Sequence, residues 1–122
     1  LNKFIKKKRY INKKYNYYLK NSKKFYISET PSISNNNYWI NILRFNSKNP
    51  IKIKNKLIQK FKINKIETRP VWKLNHLQKP FKKYQRYKIY NAIKLFNSSL
   101  CLPSSVSLSS NNIKRIVDVI NG

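Results

Sequence analysis

"YWINILRFNSKNPIKIKNKLIQKFKINKIETRP", residues 38–70, decides the architecture. Its first eight residues, 38–45, alternate and are rich in β-formers, which predicts a strand. "NSKNP" ends that strand, and Pro50 suits the first turn of a helix. Leu57, Ile58 and Phe61 mark the buried face of that helix. "KIETRP", 65–70, then reads as a short strand. Pro70 stops it, because the residue before a proline avoids helical geometry. Strand, helix and strand in succession call for helices laid on a sheet.

The flanking segments extend this pattern. Residues 1–20 read as an amphipathic helix with Leu1, Phe4, Ile5, Ile11, Tyr15, Tyr18 and Leu19 largely on one stripe and lysines opposite. Asn21 and Ser22 are stop signals. "SETPSISNNN", 28–37, reads as a loop. Residues 71–86 form a polar and aromatic connection, and 87–96 is helical with Ile89, Ile93 and Phe96 inward. "LCLP", 100–103, is a short apolar strand closed by Pro103. Ser109 or Ser110 caps a last helix, in which Ile113, Ile116, Val117 and Ile120 repeat at i, i+3, i+4, i+7 and Gly122 falls at the C-cap. The expected fold class is α/β: a two-layer α+β domain over residues 1–122, with helices packed on a small sheet. No internal repeat is present.

The chain has 122 residues, enough for one domain that buries roughly two-thirds of its unfolded surface. Its 40% apolar and 14% aromatic content argues against intrinsic disorder. The single cysteine, Cys101, allows no internal disulfide, which fits a reducing, cytoplasmic setting. No apolar run approaches the roughly 20 residues of a membrane helix. The start, "LNKFIKKKRY", lacks the apolar stretch of a signal peptide. Methionine is absent even at position 1, so the chain is expected to be a piece of a longer product.

Lys and Arg number 28 against 3 acids, a net charge of +25. Such an excess attracts phosphate backbones. It also follows from A/T-rich codons, which encode Lys, Asn, Ile, Tyr and Phe alike. No zinc-finger spacing, RNA-recognition signature or Gly-rich loop accompanies it, so nucleic acid is not the expected partner. Glu29, Glu67 and Asp118 are scattered and His76 is the only histidine. No metal site is therefore expected. Leu100, Leu102 and Pro103 around Cys101 favour a buried small hydrophobe over a nucleophile.

Residues 66–81, "IETRPVWKLNHLQKPF", gather one acid, one arginine, the only histidine, one of two tryptophans and two of five prolines. Arg69 ends a strand; Trp72, His76 and Gln78 follow on a loop, where binding residues concentrate. Arginine offers a fixed fork for carboxylate or phosphate, tryptophan a flat apolar face, and histidine and glutamine directed hydrogen bonds. The set suits a polar, ringed, anionic molecule such as a sugar nucleotide. The competing reading places Trp72 in the core and His76 on the surface as a hydrogen-bonded residue.

"ETRPVWK", "HLQKPF", "LFNSSLCLPSS" and the closing amphipathic helix together resemble the C-terminal part of DegT/DnrJ-type sugar aminotransferases. The first helix, "LNKFIKKKRYINKKYNYYL", and "NNYW" at 36–39 resemble the same family, so the similarity spans almost the whole chain in order. Three positions depart from its pattern. Leu74 replaces a usual proline, Ser105 replaces a usual glycine, and "SSNN" replaces the acids that open the last helix. The serine is expected to cost about 1 kcal/mol if the backbone there is left-handed.

The resemblance implies a pyridoxal-phosphate enzyme of the aspartate-aminotransferase fold. In it this chain is the small C-terminal domain, and the Schiff-base lysine and most of the cofactor's contacts lie on a large domain upstream. By matching position, His76, Arg69, Trp72 and Gln78 are candidate substrate-binding residues, with Tyr38 a further one; no catalytic or cofactor-binding residue is expected within the chain. The implied reaction moves an amino group, with glutamate the expected donor, to a keto-sugar nucleotide for glycan or amino-sugar synthesis, in a homodimer. Two other readings stand beside it: a basic module that binds RNA or ribosomal surfaces, and an inactive gene remnant.

Overall fold

The computed structural model describes residues 1–122. Helix α1 runs Asn2–Leu19, strand β1 Phe25–Ile27, β2 Asn41–Phe45, helix α2 Pro50–Ile63, β3 Arg69–Pro70, helix α3 Tyr90–Asn97, β4 Ser99–Leu102 and helix α4 Ser110–Asn121. The four strands form one sheet in the order β1-β2-β4-β3, antiparallel throughout. The α/β class expected from the sequence is therefore found, with one strand more than the alternation revealed. β1 has only three residues, too few for a period-2 pattern to register.

One face of the sheet carries the core. Phe25, Ile27, Leu43, Phe45, Leu100 and Leu102 alternate onto it. They meet Ile11, Tyr15 and Leu19 of α1, Leu57 and Phe61 of α2, and Ile113, Ile116, Val117 and Ile120 of α4. The stripe expected on α1 is buried only in its second half; Leu1 is 91% and Phe4 59% exposed. The opposite sheet face, with Ile42, Arg44 and Cys101, is covered in part by α3, whose Ile93 and Phe96 are half-buried. Helix α3 is therefore a satellite of the sheet and not a core helix.

The ends of the elements follow from local chemistry. Ser109 Oγ accepts the Asn112 N–H at 3.1 Å and caps α4. At the C-terminus of α2, Ile66 N–H bonds the Phe61 carbonyl at 2.9 Å and Lys65 N–H the Lys62 carbonyl at 3.0 Å. This is the double bond of a Schellman motif, with Lys65 in the left-handed region (φ 54°) where glycine is usual. Tyr38 (φ 50°) and Lys88 (φ 44°) share that conformation. Each of the three lies where an element starts later than its sequence pattern: β2 at 41 rather than 38, β3 at 69 rather than 65, α3 at 90 rather than 87. A chain with one glycine must turn on residues that reach positive φ at a cost.

Two of the departures from the family pattern are accommodated. Ser105 is not left-handed; its Oγ accepts the Ser107 N–H at 3.3 Å and pairs with Ser107 Oγ at 2.8 Å. The expected strain there is absent. Leu74 holds φ −61°, the angle a proline would impose.

Tyr15 is fully buried and donates its hydroxyl to the Pro103 carbonyl at 2.8 Å. Burial pushes its phenol well above the usual value of 10.0. The folded state thus keeps a proton that the unfolded chain releases. This contribution to stability is complete below about pH 10 and is lost as pH rises beyond it. Lys54 acts in the opposite sense: burial lowers its amine pKa, so deprotonation towards pH 10.5 favours the fold. Thermal melts above about pH 10 should therefore show a smaller alkaline loss in Tyr15→Phe than in the parent. Parallel pH profiles would assign the loss elsewhere.

Candidate functional site

After β3 the chain leaves the sheet edge and makes two single 3-10 turns, Asn75–Leu77 and Lys79–Phe81. Gln78 lies between them, and its Nε2 donates to the Lys73 carbonyl at 3.0 Å and to Asn75 Oδ1 at 3.3 Å. Gln78 thus knits the loop together. Around this loop lies an open cleft of about 540 Å³, walled by Trp72, His76, Phe81, Tyr84, Arg86 and Ile89. His76 is half-buried, and its Nε2 is shielded from solvent without a hydrogen-bond partner. His76 lines the cleft, but its Nε2 is closed off from it, so a ligand hydroxyl or phosphate reaches that nitrogen only when the ring turns.

Trp72 is 63% exposed, so it is not a core residue. It also borders a second cleft of about 320 Å³ over the sheet, where the Nε of Arg44 is likewise shielded and unpaired. Trp39, 64% exposed, lies beside it with ring centroids 6.0 Å apart and planes tilted by 43°. The Trp39 loop is anchored on α1. Lys8 Nζ donates to the carbonyls of Trp39 and Ser104, and Arg9 donates to Asn35 Oδ1 at 2.5 Å. Asn36 and Asn37 side chains accept the N–H groups of Tyr38 and Trp39 at 2.8 and 3.0 Å. These Asx turns account for the left-handed Tyr38 and deliver the Trp39 ring to the Trp72 ring.

The other two candidates lie apart. The Arg69 guanidinium is paired with Glu67 Oε1 at 2.7 Å, both side chains exposed, and borders a different cleft of about 520 Å³ with Arg115 and Cys101. Such an exposed pair contributes roughly 0–1 kcal/mol, so Glu67 can exchange for an incoming anion. Tyr38 borders a small cleft of about 200 Å³ against α1. The five candidates therefore do not converge on one surface: the structure groups Trp72 and His76, and adds Trp39, Tyr84 and Arg86 to them. Trp39 carried a legible signal, as the only other tryptophan. Arg86 carried none, since it sits in an undistinguished basic run.

Cys101 is half-buried on the outer sheet face, with Sγ 4.0 Å from the Pro70 carbonyl, and burial pushes its thiol up. Such a thiol is protonated at neutral pH and is a poor nucleophile. No helix is long and apolar enough to cross a membrane.

A small antiparallel sheet with α1, α2 and α4 on one face, α3 partly covering the other, and an aromatic, cationic loop cleft at its edge defines a domain of the α/β class. Residues 1–121 match the DegT/DnrJ/EryC1/StrS aminotransferase family, and the chain belongs to it. Among solved structures, the chain is similar to the aminotransferase TlmJ from Streptoalloteichus hindustanus (16% identity, TM-score 0.84), covering 98% of this chain and 31% of that one. It is also similar to DesI, solved in the presence of its TDP-sugar product (17%, 0.85), covering 96% and 30%. A third is the Escherichia coli GDP-4-keto-6-deoxy-D-mannose-3-dehydratase with bound hydrated PLP (13%, 0.79), covering 97% and 31%. The chain thus spans about a third of the length of these proteins.

Pyridoxal phosphate is the cofactor the family implies. It requires an amine of lowered pKa for the Schiff base and an acid against the pyridine nitrogen. Lys54, the one lysine whose pKa burial lowers, donates to the Phe96 carbonyl at 2.8 Å and lies 4.4 Å from the Phe96 ring. Lys13, Lys65 and Lys73, which border clefts, are exposed or at the rim. Glu67, the one acid on a cleft, is paired with Arg69. The residues of this chain do not form the cofactor's site.

Proposed function

We propose that these 122 residues are the small C-terminal domain of a PLP-dependent sugar aminotransferase, and that they supply one wall of its sugar-nucleotide cleft. The family match over residues 1–121 supports the class, and the placement of Trp72, His76 and Arg86 on one cleft is the observation that carries the site. In this reading the acceptor is a keto-sugar nucleotide, the donor glutamate, and the complete enzyme a cytoplasmic homodimer whose large domain holds pyridoxal phosphate. The cofactor supplies the electron sink for amino transfer. This chain's residues bind and orient. Trp72 offers a ring face to the sugar or base, the His76 imidazole takes a hydrogen bond from or gives one to a hydroxyl or phosphate oxygen, and Arg86 offers charge to the diphosphate.

Replacing His76 with Ala in the full-length gene product should lower kcat/KM for the keto-sugar nucleotide about tenfold or more, as expected for a lost hydrogen bond to a charged ligand. Unchanged kcat/KM removes the site assignment. Following the amino-sugar product directly separates transamination from dehydration, the activity named for the third structural neighbour.

A further inference from the structure

Helix α1 turns two unlike faces outward and inward. Ile11, Asn12, Tyr15 and Leu19 are buried against the sheet and α4. At 100° per residue the opposite face collects Lys3, Lys6, Lys7, Tyr10, Lys13, Lys14, Tyr17 and Lys20. From Lys3 onward every position on that face is lysine or tyrosine. The face is about 27 Å long at 1.5 Å per residue. None of its lysines has a carboxylate partner, since the only ion pair in the molecule is Arg69–Glu67. Its tyrosines are exposed, Tyr10 by 38% and Tyr17 by 57%. Lysine amines lie over both rings in cation–π contacts that a stacking base would displace: Lys7 and Lys14 are 5.0 and 5.6 Å from the Tyr10 centroid, Lys20 and Lys14 4.7 and 5.8 Å from that of Tyr17.

We infer that this face is a docking surface for single-stranded nucleic acid. Charge complementarity selects a polyanion: six unpaired lysines on one helix face match a phosphate chain, whose binding releases condensed counterions. The two exposed rings select among polyanions. Bases stack on aromatic faces, and rings interleaved with cations at one-to-two-turn spacing form the platform that sequence-tolerant single-strand binders use. An anionic bilayer fits less well. A surface-bound helix inserts an apolar stripe, and the second half of the α1 stripe is committed to the core, leaving only Leu1 and Phe4 exposed at its start. The inference stands apart from the Trp72–His76 cleft, because none of that cleft's residues takes part in it; Lys13 alone borders a cleft, the small one beside Tyr38.

The test is fluorescence anisotropy of a labelled oligouridylate of about 20 nucleotides with the full-length gene product, titrated between about 50 and 200 mM salt. The parent protein should bind with a slope of log K against log salt near −4, about −0.7 for each of six phosphates. Lys3→Gln/Lys6→Gln/Lys13→Gln should weaken binding about tenfold or more and flatten the slope by about 2. A charge-matched control on α2, Lys52→Gln/Lys56→Gln/Lys62→Gln, should stay near the parent values. Equal losses in the two triples would mean diffuse charge and overturn the assignment. Tyr10→Ala/Tyr17→Ala should lose roughly fivefold or more on oligouridylate and little on heparin, which has no bases, whereas Tyr10→Phe/Tyr17→Phe should retain binding. Equal loss on both polyanions, or tighter binding to phosphatidylserine vesicles than to RNA, also overturns it.

Discussion

Truncating Phe61 to alanine should destabilise the domain by about 3–5 kcal/mol, the largest effect expected of any single core change here. The ring is 0% exposed at the last turn of α2, in the core that this helix shares with the sheet, α1 and α4. Its carbonyl also receives the Ile66 N–H that closes the Schellman turn. Loss of the ring removes its transfer free energy and leaves a cavity beneath a backbone that the turn holds in place, so little collapse can offset it. Against a total stability of about 5–15 kcal/mol, such a loss takes a third or more of what holds the fold. Urea unfolding should show the drop in midpoint with the slope unchanged, and Phe61→Leu should recover most of it. A loss under about 1 kcal/mol would mean that the α2–sheet contact is not part of the core.

The second large effect is polar. Asn41 is 1% exposed at the start of β2. Its Oδ1 accepts from Asn12 Nδ2 at 2.9 Å, and both its N–H and its Nδ2 donate to Ser104 Oγ at 3.0 Å. One side chain thus ties α1, β2 and the turn after β4. Asn41→Ala removes two side-chain bonds and strands the Asn12 amide in a buried position, at a cost of about 2–4 kcal/mol. Asn41→Asp keeps the shape but buries a charge whose direct side-chain partners, Asn12 and Ser104, are neutral, and should be at least as damaging at neutral pH. Acidification should then restore part of the Asn41→Asp stability, because protonation removes the buried charge. A pH-independent deficit in Asn41→Asp would refute this account. The same network borders the Lys8 and Ser104 contacts that hold the Trp39 loop, so under the proposed function Asn41→Ala in the full-length gene product should also weaken binding of the keto-sugar nucleotide.

The clefts were harder to read than the core. Trp72 and His76 stood out because they are rare residues in a chain dominated by Lys, Asn, Ile and Tyr. Their grouping with Arg86 and Tyr84 depends on how two 3-10 turns and a left-handed Lys88 fold residues 71–89 back on themselves. No periodicity encodes that path. Arg69 illustrates the converse. Three residues before Trp72 in sequence, it lies on β3, and its pairing with Glu67 turns it to another cleft.

The order of elements, the apolar stripes of α2 and α4, the alternation in β2 and the caps at Ser109 and Gly122 were all determined locally, because side-chain periodicity and hydrogen-bond chemistry act within a few residues. The three-residue β1, the late starts at Tyr38, Lys65 and Lys88, and the meeting of Trp39 with Trp72 were decided only by the tertiary structure. A three-residue strand gains its stability from the neighbour it pairs with, and a left-handed lysine or tyrosine is tolerated only where distant packing and hydrogen bonds hold it there.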